Sequence, residues 1–104
     1  MQLFIMYLLY YLSLKMEKFV VFGEYCEDAI IKRRPFREQH LNRLQNLKDR
    51  DILVTLGPTK CTKYLFGIFN TIDENELKDL IEEDIYWKKG IWINYDIYPW
   101  IQAI

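Results

Sequence analysis

The chain has 104 residues, 51% apolar, 16% aromatic and 28% charged, with a formal net charge of −1. That length and mix suit one globular domain, and the near-neutral charge argues against bulk nucleic-acid binding, which needs a basic face. Two cysteines, Cys26 and Cys61, are too few for a disulfide framework or a metal-ligand set and read as reduced thiols of a cytoplasmic protein.

Residues 1–15, MQLFIMYLLYYLSLK, are almost wholly apolar. The run is too short to span a bilayer, which takes about 20 such residues. It lacks the basic start and small-residue cleavage site of a secretory signal. Met16 follows at once, so residues 1–15 read as an N-terminal extension ahead of a native start at Met16. A short membrane-associating or interface-packing segment is the less expected alternative. The domain proper is residues 16–104.

EKFVVFG (17–23) reads as a short, continuously apolar strand ended by Gly23. Pro35 then opens a helix at the position where its missing N–H costs least, and the helix runs to about Asp49. ILVTL (52–56) is a second strand stopped by Gly57-Pro58, and YLFGIF (64–69) is a third, joined to it by a hairpin loop. Asp73 caps a second helix, with Glu76 as the other half of a capping box and Ile72 and Leu77 in staple positions. DIYWKKG (84–90) is a turn or short extra helix, and IWINYDIY (91–98) is the last strand.

The order β-α-β-β-α-β in so short a chain predicts the ferredoxin-like α+β sandwich. Its first and third strands lie centrally, and the two most continuously apolar runs are the first and third here. Helices cover one sheet face. In the last strand, Ile91, Ile93, Tyr95 and Ile97 alternate toward the helices, leaving Trp92 and Tyr98 on the bare face. Such an aromatic patch calls for a partner, so a face-to-face homodimer, the dimeric α+β barrel, is expected.

The only histidine, His40, lies in KRRPFREQHLNRL (32–44). With His40 at zero on a helical wheel, Leu44 falls at about 40°, Leu47 at about −20°, Phe36 at about −40° and Arg37 at about 60°. The histidine therefore faces inward. On the second helix Leu77, Leu80 and Ile81 set the apolar face, and Asp84 falls about 20° from Leu77 if the direction continues one more turn. Each residue alone has a structural explanation, a satisfied core histidine and a turn cap. Together they suggest a pair, because an ionisable group buried without a partner is costly. A carboxylate on one imidazole nitrogen fixes the tautomer and leaves the other nitrogen for acid/base work. One histidine and no acidic cluster at ligand spacing give no metal site, and no cofactor is implied.

The stretch KRRPFREQHLNRLQNLKDRDILVTLGP resembles the YCII (YciI-like) family, with Arg33, Arg37, His40 and Leu41 on the helix and Gly57-Pro58 at the strand end. Asp84, Tyr86 and Gly90 match a later step of the same pattern, where Ile85 stands in place of the usual proline. The resemblance covers about residues 17–98. It implies a dimeric α+β barrel in the cytoplasm, an active site on His40 and Asp84, and a neighbourhood in which Arg33, Arg37, Gly57, Pro58 and Tyr86 contact substrate. Dehydrochlorination of a chlorinated aromatic is known within that family. Two functions follow. One is a lyase or isomerase acting on a small cyclic or aromatic acid, with His40 as base, Asp84 as its orienter and Arg37 as anion anchor, and with Tyr86, Trp87 and Trp92 as pocket walls. The other is a small-molecule binding or interaction module without turnover.

Overall fold

The computed structural model describes residues 2–104, and for residues 10–15 the backbone alone. Met1, the other possible start, lies outside them. The elements run α1 (Gln2–Lys15), β1 (Glu17–Tyr25), α2 (Ala29–Lys32), a 3-10 turn (Arg34–Phe36), α3 (Arg37–Asp49), β2 (Leu53–Pro58), β3 (Tyr64–Thr71), α4 (Glu74–Glu82), α5 (Ile85–Lys88) and β4 (Trp92–Trp100). The four strands form one antiparallel sheet in the order β2-β3-β1-β4. This is the ferredoxin-like α+β sandwich, the protomer fold of the dimeric α+β barrels, and β1 and β3 are its central strands.

Alternation divides the sheet. Phe19, Val21 and Tyr25 of β1 and Leu65 and Phe69 of β3 are buried, and they form one cluster with Leu47 of α3, Leu77 and Ile81 of α4 and Tyr86 of α5. Burying a side chain such as Leu77 contributes roughly 1.5–3 kcal/mol, so this shared layer fixes where the helices sit. The opposite face carries Phe22, Phe66 and Tyr98 in the open, with Phe22 edge-on to both rings.

The helices begin and end for local reasons. Asp73 accepts from the Glu76 N–H (2.8 Å), and the Glu76 carboxylate reaches back to the Ile72 N–H (2.8 Å), one residue ahead of the usual capping-box donor. Ile72 is itself half exposed, while Leu77 is buried. Asp84, in extended backbone (φ −67°, ψ 139°), stops α4 and caps α5 by accepting from the Tyr86 N–H.

Two expectations need correction. Gly23 does not end β1. It lies inside the strand, where a Cβ would come within 2.5 Å of the Asn94 carbonyl, so β4 can approach only a glycine. Next to it the β1–β4 register shifts, Glu24 pairing with Asn94 and Tyr25 with Trp92. The extra residue, Ile93, is half exposed, and Trp92 turns to the helix side and is buried. The simple alternation read from IWINYDIY therefore holds from Asn94 onward and fails before it. Pro35 does stand at the start of the helical run that ends at Asp49, in the 3-10 turn leading into α3, and the short α2 precedes it as a separate helix.

Residues 3–9 of α1 are exposed and apolar. Among the described residues, no helix is long and apolar enough to cross a membrane.

Candidate active site

His40 sits on the first turn of α3 facing the sheet and is 3% exposed. Its Nδ1 lies 2.8 Å from Asp84 Oδ1, and Asp84 is wholly buried. The same Oδ1 accepts from the Tyr86 N–H (2.9 Å), and Oδ2 accepts from Arg43 Nη1 (3.1 Å). Arg43 also donates through Nη2 to the Leu80 carbonyl (2.8 Å). With the Tyr86 N–H on the same Oδ1 and the Arg43 guanidinium on Oδ2, the carboxylate acts as acceptor toward the ring as well. Nδ1 of His40 therefore carries the proton in the neutral ring, and the lone pair sits on Nε2.

Aromatic rings hold the imidazole from two sides. Tyr86 stacks on it with centroids 3.6 Å apart at 8°, and Trp92 stands edge-on at 5.2 Å and 84°. An imidazole gripped this way cannot swing freely, so the direction of Nε2 is set by the fold. Burial raises the Tyr86 phenol above its usual range, with Arg33 and Arg37 opposing weakly, so the hydroxyl stays protonated.

The histidine borders a pocket of about 120 Å³. Its other walls include Arg33, Arg37, Gly57, Pro58 and Tyr86, with Tyr25 and three leucines. The structure thus places six of the seven residues singled out in the sequence on one pocket wall, and puts the seventh, Asp84, directly behind His40. Trp87 and Trp92 are not part of that wall. Trp87 packs edge-on against Tyr95, and Trp92 backs the His40–Tyr86 stack. A larger hollow of about 800 Å³, lined by Cys26, Ile30, Ile31, Cys61, Tyr64 and Ile93 among others, contains neither His40 nor Asp84.

Arg43 is the residue that sequence reasoning missed. It lies three residues after His40, at about −60° on the same wheel, so it shares the histidine's side of the helix. Its contacts with Asp84 and Leu80 tie α3 to α4. Arg33 and Arg37 differ from it: among the described residues, the ion pairs involve Arg43 and His40 but neither pocket arginine. Two cations facing a cavity without a carboxylate suit an anionic ligand group.

A family model described as the YCII-related domain matches residues 17–101. The chain belongs to the YCII family. Among solved structures, the fold is similar to 5-chloro-2-hydroxyhydroquinone dehydrochlorinase (TftG) from Burkholderia phenoliruptrix AC1100, in complex with 2,5-dihydroxybenzoquinone. The TM-score is 0.72 at 20% identity, over 83% of this chain and 95% of that one. At that identity the likeness speaks for the fold alone. No curated protein matches the sequence significantly.

Proposed function

We propose that this YCII-family protein is an acid/base enzyme, of lyase or isomerase type, acting on a small cyclic or aromatic acid. One observation carries the reading: His40, oriented by buried Asp84, borders a pocket in which Arg33 and Arg37 have no carboxylate partner among the described residues. His40 Nε2 is the base, Asp84 holds the tautomer and offsets the charge of the imidazolium that forms, and Arg37 and Arg33 take the anionic group of the substrate. Gly57 and Pro58 close the sheet side of the pocket. The volume, about 120 Å³, lies below the roughly 300–1,000 Å³ of ordinary ligand pockets, which restricts the substrate to a single small ring. A fold likeness to an enzyme with a bound quinone agrees with this class without naming the substrate.

The exposed Phe22, Phe66 and Tyr98 support a homodimer packed sheet to sheet. The free thiols of Cys26 and Cys61 accord with a reducing, cytoplasmic setting.

The test is solvent exchange. Cyclic acids with an acidic C–H, and 2,5-dihydroxybenzoquinone, are incubated with the protein in D₂O and followed by proton NMR. The expected result is C–H to C–D exchange that His40→Gln abolishes. Ligand line broadening with no exchange would instead favour the binding module without turnover.

A further inference from the structure

One polar atom on this wall has no role so far. The Tyr86 hydroxyl is sealed from solvent and has no hydrogen-bond partner among the described residues. Buried polar groups are nearly always paired, so an orphan calls for a reason. Tyr86 is 1% exposed, lines the pocket and stacks face to face on His40. The Arg37 guanidinium approaches the hydroxyl without closing a good hydrogen bond, and Arg33 is the other cation near it. Trp92 Nε1 is a second orphan, but Trp92 does not border the pocket.

We infer that the Tyr86 hydroxyl is a further catalytic residue, which donates a hydrogen bond to the substrate oxygen that also contacts Arg37. This rests on the acid/base reading of the pocket and names the group that would stabilise its intermediate. When His40 Nε2 takes a proton from carbon, the C–H bond breaks and its electron pair moves toward the adjacent carbonyl. The oxygen of that carbonyl becomes an enolate oxyanion, and the proton stays on the imidazole. An O–H and a guanidinium that meet that oxygen when the ring enters the pocket stabilise the charge. Because Tyr86 stacks on His40, base and oxyanion donor sit side by side, as abstraction next to a carbonyl requires. The elevated phenol pKa fits a hydroxyl that donates and does not ionise. The ligand class follows: a planar ring carrying a carbonyl or enol oxygen, anionic when bound.

Tyr86→Phe keeps the ring, the stack and the packing and removes only the oxygen. Benzoate serves as the probe for the anion site, titrated against wild type, Tyr86→Phe, Arg37→Gln and the double variant by calorimetry. Losing a hydrogen bond to a charged ligand oxygen weakens binding roughly ten- to hundredfold. Arg37→Gln also weakens binding, and the double variant loses less than the product of the two factors, because both groups contact one oxygen. The melting temperature of unliganded Tyr86→Phe is unchanged or higher, since an unsatisfied hydroxyl has gone. Equal benzoate affinity in wild type and Tyr86→Phe overturns the inference and leaves His40-dependent exchange standing. A lowered melting temperature in Tyr86→Phe overturns it too, because the hydroxyl then serves the fold. A wild type that binds no benzoate removes the anion site, and both readings fall together.

Discussion

Replacing Asp84 by asparagine tests the buried pair most directly. The carboxylate has three donors: His40 Nδ1 and the Tyr86 N–H on Oδ1, and Arg43 Nη1 on Oδ2. An amide has one oxygen. With the oxygen toward His40 and Tyr86, the NH₂ faces the Arg43 guanidinium, donor against donor. Flipped, the amide satisfies Arg43, loses the cap on α5 and donates to His40 Nδ1, which moves the ring proton to Nε2. Breaking a buried ion pair from one side costs about 3–5 kcal/mol. The Arg43 side chain is 26% exposed and can partly rehydrate, so the lower end applies, about 3 kcal/mol. For a domain of this size that is a fall in Tm of roughly 12–24 °C. Urea unfolding followed by tryptophan fluorescence gives the free energy. Long-range proton–nitrogen NMR gives the tautomer, expected as Nδ1–H in the wild type and Nε2–H, or a mixture, in the variant. A loss under about 1 kcal/mol with an unchanged tautomer would mean that Asp84 does not hold His40, and the acid/base assignment would lose its support.

Other outcomes follow from single features. Gly23→Ala, whose Cβ would meet the Asn94 carbonyl at 2.5 Å, is expected to cost about 1–3 kcal/mol; an unchanged urea midpoint would show that the bulge in β4 yields freely. Phe22→Glu places a charge among Phe66 and Tyr98 on the bare sheet face and should convert a dimer to a monomer by light scattering, whereas a monomeric wild type would refute the sheet-to-sheet pairing. Burial raises the Tyr25 and Tyr86 phenols above 10.0 in the folded chain. The unfolded chain therefore releases these protons first, and stability is flat below about pH 10 and falls as pH climbs through the raised values; a melting temperature unchanged up to pH 11 would contradict this. The Cys61 thiol is exposed, and the Thr59 hydroxyl 3.2 Å away helps lower its pKa, so iodoacetamide should alkylate it ahead of half-buried Cys26 in a peptide-mapped time course.

The element order was legible because each strand and helix carries its own period or cap. FVVF and YLFGIF read as central strands, and they are. The inward direction of His40 came from a wheel alone, since the leucines of α3 fix one face. What the sequence pattern does not encode is the two-against-one pairing at Tyr25 and Trp92. A bulge depends on the partner strand, and a reading of β4 in isolation can only assume strict alternation. Gly23 was misread for the same reason: its lack of a side chain answers a carbonyl more than 70 positions away in sequence. Arg43 was in range of the wheel, but an arginine at the edge of an apolar stripe resembles an ordinary surface residue. Its partner is buried on another helix, and only the packed structure shows that.

Asp84 was open to two readings, a cap for the following turn or an orienter for His40, and its geometry serves both. One carboxylate joins α5 through the Tyr86 N–H to α3 through His40 and Arg43, while Arg43 continues to α4 through Leu80. A network like this is poor evidence of selection for stability, because well-packed apolar side chains of similar volume often hold a fold as well. What apolar packing cannot do is fix an imidazole beside a cavity lined by two arginines that have no carboxylate partner among the described residues. Variants of Asp84 or Arg43 disturb fold and site together and cannot separate the roles. His40→Gln and Tyr86→Phe can, because the first removes a base and the second a hydroxyl while most of the packing remains. If either change silences exchange or anion binding while the urea midpoint stays within about 1 kcal/mol of the wild type, the polar network serves the pocket more than the core.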